Sequence, residues 1–147
     1  MTPLPHKQVS LAYIILPSLI LGLDQALKQA RDTVSTHLNT AAAFNIPISN
    51  TVIVLLSIAV LVCLGRVIFF TEKPLHGPLL LIFASGMSNL IDRLRLGATI
   101  DYIILGSGIY NLADLIILIS IFLIIFNLFD LHSRNGHPSP ILRYFRH

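Results

Sequence analysis

Four of the seven acidic residues in this 147-residue chain, Asp24, Asp92, Asp101 and Asp114, stand at or between the ends of long apolar runs, with Asn89 beside them. Ionisable groups at the edge of hydrocarbon are costly, so such positions are functional candidates first. Two carboxylates a few ångströms apart cannot both ionise cheaply. One can stay ionised and deprotonate water while the other keeps its proton and polarises a carbonyl. That pairing hydrolyses a peptide bond without a metal. Other chemistries lack their parts: histidines 6, 37, 76, 132, 137 and 147 form no metal-ligand spacing, and neither HExxH nor GxSxG occurs. No metal and no cofactor are expected. The single cysteine, Cys63, lies in an apolar run, excludes an intrachain disulfide and reads as a small buried hydrophobe.

Each polar residue also has a purely structural reading. Asp24 and Lys28 are spaced i, i+4, as an ion pair closing a helix end would be, and a structural role is expected of both. Asn111-Leu-Ala-Asp114 has the pattern of a helix start, with Asn111 as N-cap and Asp114 answering the dipole; helix start and functional site weigh equally there. Asn89 and Arg93, also i, i+4, could bond to a neighbouring loop. Met87 and the phenylalanines read as packing.

The elements that must position these groups follow from composition. Hydrophobic residues make up 54% of the chain and charged residues 12%, against about 25% charged in soluble domains, which points to a lipid-facing surface. Residues 9–27, 52–70, 75–91 and 112–131 are each long enough to span, 17 to 20 residues at about 1.5 Å each. The first run has no clear cleavage site and is read as a retained helix rather than a signal peptide. A tight turn at 71–74 joins the second and third runs, while 28–51 and 92–111 are longer loops. The first of these could make a few strands. The whole chain, 1–147, is read as one membrane-embedded domain.

Four spans put both termini on one side, with Lys7, Arg66, Lys73, Arg134, Arg143 and Arg146; the other side has Lys28, Arg31, Arg93 and Arg95. Six against four sets the termini in the cytoplasm. The ends of the first and third helices and the start of the fourth then meet at the extracytoplasmic face, where the polar residues gather. The net charge of +3 is scattered, with no basic stripe among aromatics, so lipid headgroups are expected partners and nucleic acid is not.

Four blocks give the chain a likeness. Leu23-Asp24-Gln25-Ala26-Leu27-Lys28, Asn39-Thr40-Ala41-Ala42-Ala43-Phe44, the stretch from Asn89-Leu90-Ile91-Asp92-Arg93 to Ile100-Asp101-Tyr102, and Tyr110-Asn111-Leu112-Ala113-Asp114 occur in order. Over nearly its whole length the chain resembles the lipoprotein signal peptidase (signal peptidase II) family. The resemblance implies a catalytic dyad of Asp101 and Asp114, supported by Asp24, Lys28, Asn39, Asn89, Arg93 and Asn111. It implies a diacylglyceryl-modified prolipoprotein as substrate, cut just before the lipidated cysteine, and globomycin as a peptide inhibitor. The implied fold is all-α and membrane-integral: four transmembrane helices, a small extracytoplasmic β-cradle, and a short helix between the third and fourth spans.

Some positions depart from the family pattern. Ala41 and Ser88 stand where glycine is usual, Tyr102 and Tyr110 replace phenylalanines, and only twelve residues separate Asp101 from Asp114. Added atoms tighten packing where a backbone or lipid chain approaches, and the short spacing predicts a trimmed loop helix. Two other readings compete. One is a catalytically silent paralogue that binds lipoprotein precursors or a membrane partner, which a cleavage assay separates from an enzyme. The other is a small transporter or channel, which would need its charges near mid-membrane rather than at one end.

Overall fold

The computed structural model describes residues 11–30, 36–41, 48–71 and 74–134. The expected start of the first span at Val9, the apolar piece 42–44 of the second block, and Glu72 and Lys73 of the turn lie outside them. Four helices make up most of the described chain: α1 (Ala12–Ala30), α2 (Asn50–Phe70), α3 (His76–Leu96) and α4 (Leu112–Arg134). α3 is the hub, packing on each of the other three, and α1 also touches α4.

Strand β1 (His37–Asn39) from the first long loop pairs antiparallel with β2 (Thr99–Asp101) from the second, setting His37 opposite Asp101 and Asn39 opposite Thr99. This is the expected cradle in small form. The expected short helix between α3 and α4 is absent. Its place is taken by a hairpin of β3 (Ile103–Leu105) and β4 (Gly108–Tyr110), with Ile104 opposite Ile109. The cause is local. Gly106, first of the two linking residues, has φ of +60°, the conformation a tight two-residue hairpin turn needs there, and the short apolar runs on either side suit strands better than one helical turn.

The helix bounds reflect how charge is accommodated. α3 runs past Ile91 to Leu96, because Asp92 and Arg93 are buried with partners instead of emerging from the fold. It ends at Gly97, whose φ of +72° and N–H to Arg93 O at 3.1 Å make a left-handed C-terminal cap.

Burial is inverted relative to a protein folded in water. The buried set is dominated by polar side chains, including Asp24, Lys28, Ser88, Asp92, Asp101 and Asn111, while Phe69, Phe70, Leu118 and Phe122 point outward. Two helices, α2 and the 112–131 stretch of α4, are long and apolar enough to cross a membrane. Only 6% and 11% of their most apolar windows are buried inside the protein, so they are not core helices. An apolar surface this extensive is unstable against water. Cys63 shares that outward surface of α2 and is exposed, not buried as its apolar setting suggested. Hydrophobic neighbours in sequence mark burial only where the outside is water.

Candidate active site

α1 and α3 carry the polar cluster on facing sides. Lys28, its side chain 1% exposed, places its ammonium 2.7 Å from Asp24 Oδ2, 2.7 Å from Asp92 Oδ2 and 3.0 Å from Asn89 Oδ1. Three acceptors meet three N–H donors, so the ammonium is fully satisfied. The i, i+4 pair read from the sequence is therefore present, but one cation serves two carboxylates. Asp92 Oδ1 also accepts from Gln25 Nε2 at 2.9 Å. Ser88 Oγ donates to Asp24 Oδ2 at 2.6 Å and accepts from Gln25 at 2.9 Å.

From Lys28 the network passes through Asn89, whose Nδ2 donates to Asp114 Oδ1 at 2.9 Å. Asp114 Oδ2 accepts the Asn111 N–H at 3.2 Å, and Asn111 Oδ1 accepts the Asp114 N–H at 2.9 Å, a reciprocal capping box at the start of α4. The helix-start reading of this motif thus holds. It does not exhaust Asn111: the side-chain Nδ2 is still free to donate, and it does so to Asp101 Oδ1 at 2.8 Å. Capping and site building are two uses of one asparagine.

Asp101, 2% exposed at the end of β2, accepts a second bond on Oδ2 from Asn39 Nδ2 at 3.0 Å. Strand pairing sets up that contact, with the Asn39 side-chain Oδ1 accepting the Ala41 N–H at 3.1 Å. Burial pushes the Asp101 carboxyl above the ordinary carboxylate range. The two amide bonds and the Lys28 charge pull the other way, and the Asp114 charge adds to the rise.

Arg93 braces the cradle. Its Nη2 donates to Ala41 O at 2.7 Å and Thr99 Oγ1 at 3.2 Å, joining the loop after β1 to β2. This is the neighbouring-loop contact its position suggested. Buried Nη1 has no protein partner among the described residues, and the guanidinium is within electrostatic reach of Asp101, Asp114 and Asp92.

All eight residues read from the sequence as site candidates thus lie in one contiguous network. Gln25, Ser88, Asp92, Thr99 and Tyr102 also belong to the network, with no specific role assigned to them from the sequence. Gln25 and Asp92 stand out as polar residues one position from Asp24 and Arg93 in otherwise apolar surroundings, and Ser88 and Asp92 share the i, i+4 face that Asp24 and Lys28 have on α1. Tyr102 offered no spacing signal. Its Oη donates to Asp24 Oδ1 at 3.1 Å across the fold. Among the described residues no three histidine, cysteine or acidic side chains group as a metal would need.

The four-helix fold is similar to that of bacterial membrane enzymes of known structure. One, solved by the in meso method at 2.3 Å, superposes with a TM-score of 0.71 at 22% identity, covering 87% of this chain and 92% of the other. A second, at 1.9 Å, gives 0.68 at 24% identity over 80% and 92%. Residues 16–130 match the family model for signal peptidase II. The lipoprotein signal peptidase of Clostridioides difficile (strain 630) is 31% identical over 80% of this chain and 95% of its own length. The chain belongs to the signal peptidase II family, the peptidases of lipoprotein signal peptide processing.

Proposed function

We propose that the chain is an intramembrane aspartic endopeptidase that removes signal peptides from diacylglyceryl-modified prolipoproteins, cutting before the lipidated cysteine, with Asp101 and Asp114 as the dyad. One observation carries this reading: Asn111 bonds to both carboxyl-bearing residues at once, so the loop aspartate and the helix-start aspartate are held as a unit. Burial raises the affinity of Asp101 for its proton, the direction required of the partner that stays protonated in such a pair.

The ionised carboxylate takes a proton from water as the water oxygen attacks the scissile carbonyl. The protonated partner gives its proton to the carbonyl oxygen, forming a gem-diol. Collapse breaks the C–N bond: the diol returns a proton to one carboxylate, and the proton taken from water passes to the departing cysteine amine, restoring the singly protonated pair. Asn39, Asn89 and Asn111 fix carboxylate orientation without adding charge. Nη1 of Arg93, which has no partner among the described residues, is a donor available to a substrate carbonyl. Asp24 and Lys28 hold α1 to α3 beneath the dyad.

The chain is a single domain with four membrane spans in the bacterial cytoplasmic (inner) membrane, termini cytoplasmic and dyad at the extracytoplasmic face. The buried charges Asp24 and Lys28 of α1 and Asp92 of α3 are paired with one another, which lowers the cost of setting these two helices across hydrocarbon. A dyad at a membrane face suits a substrate anchored by its lipid in the same bilayer. Incubation of the purified protein with a diacylated prolipoprotein, with and without globomycin, tests the proposal: globomycin-sensitive release of the signal peptide is expected, and a folded protein that binds the precursor without cutting it would make the chain a silent paralogue.

A further inference from the structure

We propose that Tyr102 is a positioning residue of the peptidase: its phenol ties the buried Asp24 carboxylate to the first turn of α4 and so fixes Asp114 against Asp101. The inference rests on the dyad reading above.

A helix start leaves amide N–H groups without intrahelical partners. At the start of α4 four of them are taken by named side chains. Asn111 N–H goes to Asp114 Oδ2 and Asp114 N–H to Asn111 Oδ1, the capping box. Ala113 N–H goes to Asp24 Oδ1 at 3.2 Å, and Leu112 N–H to Tyr102 Oη at 3.3 Å. The same phenol donates to Asp24 Oδ1 at 3.1 Å. Tyr102 and Asp24 therefore grip the helix from outside, where the capping box only closes it on itself.

The two oxygens of Asp24 divide the work. Oδ2 faces Lys28 and Ser88, on α1 and α3. Oδ1 faces Tyr102 and Ala113, on the α4 side. Tyr102 directly follows Asp101 and is pinned by its own N–H to Tyr110 O at 2.8 Å, so its ring is a short rigid link from the backbone of one dyad residue to the helix bearing the other. The ring is 6% exposed and its hydroxyl reaches a fully buried carboxylate. The hydroxyls of Tyr102 and Ser88 thus fall on opposite oxygens of one aspartate.

The test compares wild type, Tyr102→Phe, and an enzyme with 4-aminophenylalanine at 102, which keeps a para donor to Asp24 and a weaker acceptor toward the Leu112 N–H, on a diacylated prolipoprotein. Because remote misplacement of about 1 Å costs up to a hundredfold, Tyr102→Phe should lose roughly tenfold in kcat per folded enzyme with KM unchanged, and the amino analogue should recover most of it. A folded phenylalanine variant that keeps wild-type kcat, or a loss that the amino analogue does not recover, overturns the inference. If Tyr102→Phe does not accumulate, 4-methylphenylalanine at 102, which fills the hydroxyl's space without a polar atom, takes its place: a tenfold loss in kcat supports the role and wild-type kcat overturns it. Absence of cleavage by wild type would instead remove the peptidase reading itself.

Discussion

Asn111 donates its side-chain amide to Asp101 at 2.8 Å while its backbone N–H and its side-chain carbonyl are both engaged by Asp114. One residue thereby spans the two carboxyl groups, and each of its polar contacts has a separate physical use. The two contacts with Asp114 begin a helix; the one with Asp101 joins that helix to a strand.

Serine separates these uses, since it caps helices about as well as asparagine but has no amide to reach Asp101. Asn111→Ser should keep the fold, losing about 1 kcal/mol for the missing bond to Asp101. Cleavage should fall by roughly tenfold or more as the loop carboxyl loses its orientation. Thermal melting and initial rates on one preparation decide it, and a rate within twofold of wild type would show that the bridge is not used.

Lys28 holds two buried carboxylates, so its removal should cost more than removal of either. Lys28→Met leaves Asp24 and Asp92 uncompensated, and breaking a buried pair costs about 3–5 kcal/mol. Asp24→Ala should also lower the yield of folded protein, since it removes the carboxylate that accepts from Ser88, Tyr102 and the Ala113 N–H. Melting temperatures should rank wild type above Asp24→Ala above Lys28→Met. Normal stability of Asp24→Ala with activity as low as a dyad variant would make Asp24 a catalytic group.

What could be read in advance was what lies close along one helix. The Asp24–Lys28 pair and the Asn111–Asp114 box are three or four residues apart, and helical geometry alone brings them together. Asn39 on Asp101, Gln25 on Asp92 and Tyr102 on Asp24 join residues more than sixty positions apart, and no periodicity encodes them. Resemblance supplied Asn39 but not Gln25 or Tyr102. The apolar run 75–91 marks only the hydrocarbon-length part of α3; partners on α1 and the Ala41 carbonyl let the helix continue through Asp92 and Arg93 to Leu96. The missed hairpin had a signal in Gly106-Ser107-Gly108 between apolar pairs, outweighed by the expectation of a helix there.

The proposed orientation in the membrane rests on the basic residues and on the convergence of polar helix ends. In a background lacking Cys63, cysteines placed in 31–50 or 93–110 should react with a membrane-impermeant reagent added outside, and one near residue 135 should not. Outside labelling at 135 would invert the topology.

The pH dependence of stability has a defined sign. Burial raises the Asp101 carboxyl, so the folded chain holds that proton more tightly than the unfolded chain does. The group therefore favours folding fully below its ordinary value of about 3.9, and this contribution is lost as pH rises through the higher folded value. Asp101→Asn cannot titrate. Its melting temperature relative to wild type should climb as pH increases above the ordinary carboxylate range, and a difference independent of pH would contradict the raised value.

Asp101 and Asp114 should behave as one catalytic unit. Asparagine keeps the shape of each side chain but can neither take the proton from water nor give one to the carbonyl. Each substitution turns one accepting oxygen into a donor facing another donor, Asn39 or Asn111 at 101 and Asn89 or the Asn111 N–H at 114, so about 1 kcal/mol of stability is lost while the fold remains. Cleavage by either single variant should fall at least about a thousandfold, and the double variant should be scarcely slower, because both groups act on one transition state. The rate profile of wild type should show two apparent values that belong to the pair, and cleavage should survive chelators. Substantial turnover by a well-folded Asp101→Asn or Asp114→Asn, multiplicative losses in the double variant, or inactivation by a chelator would each remove the dyad from the mechanism.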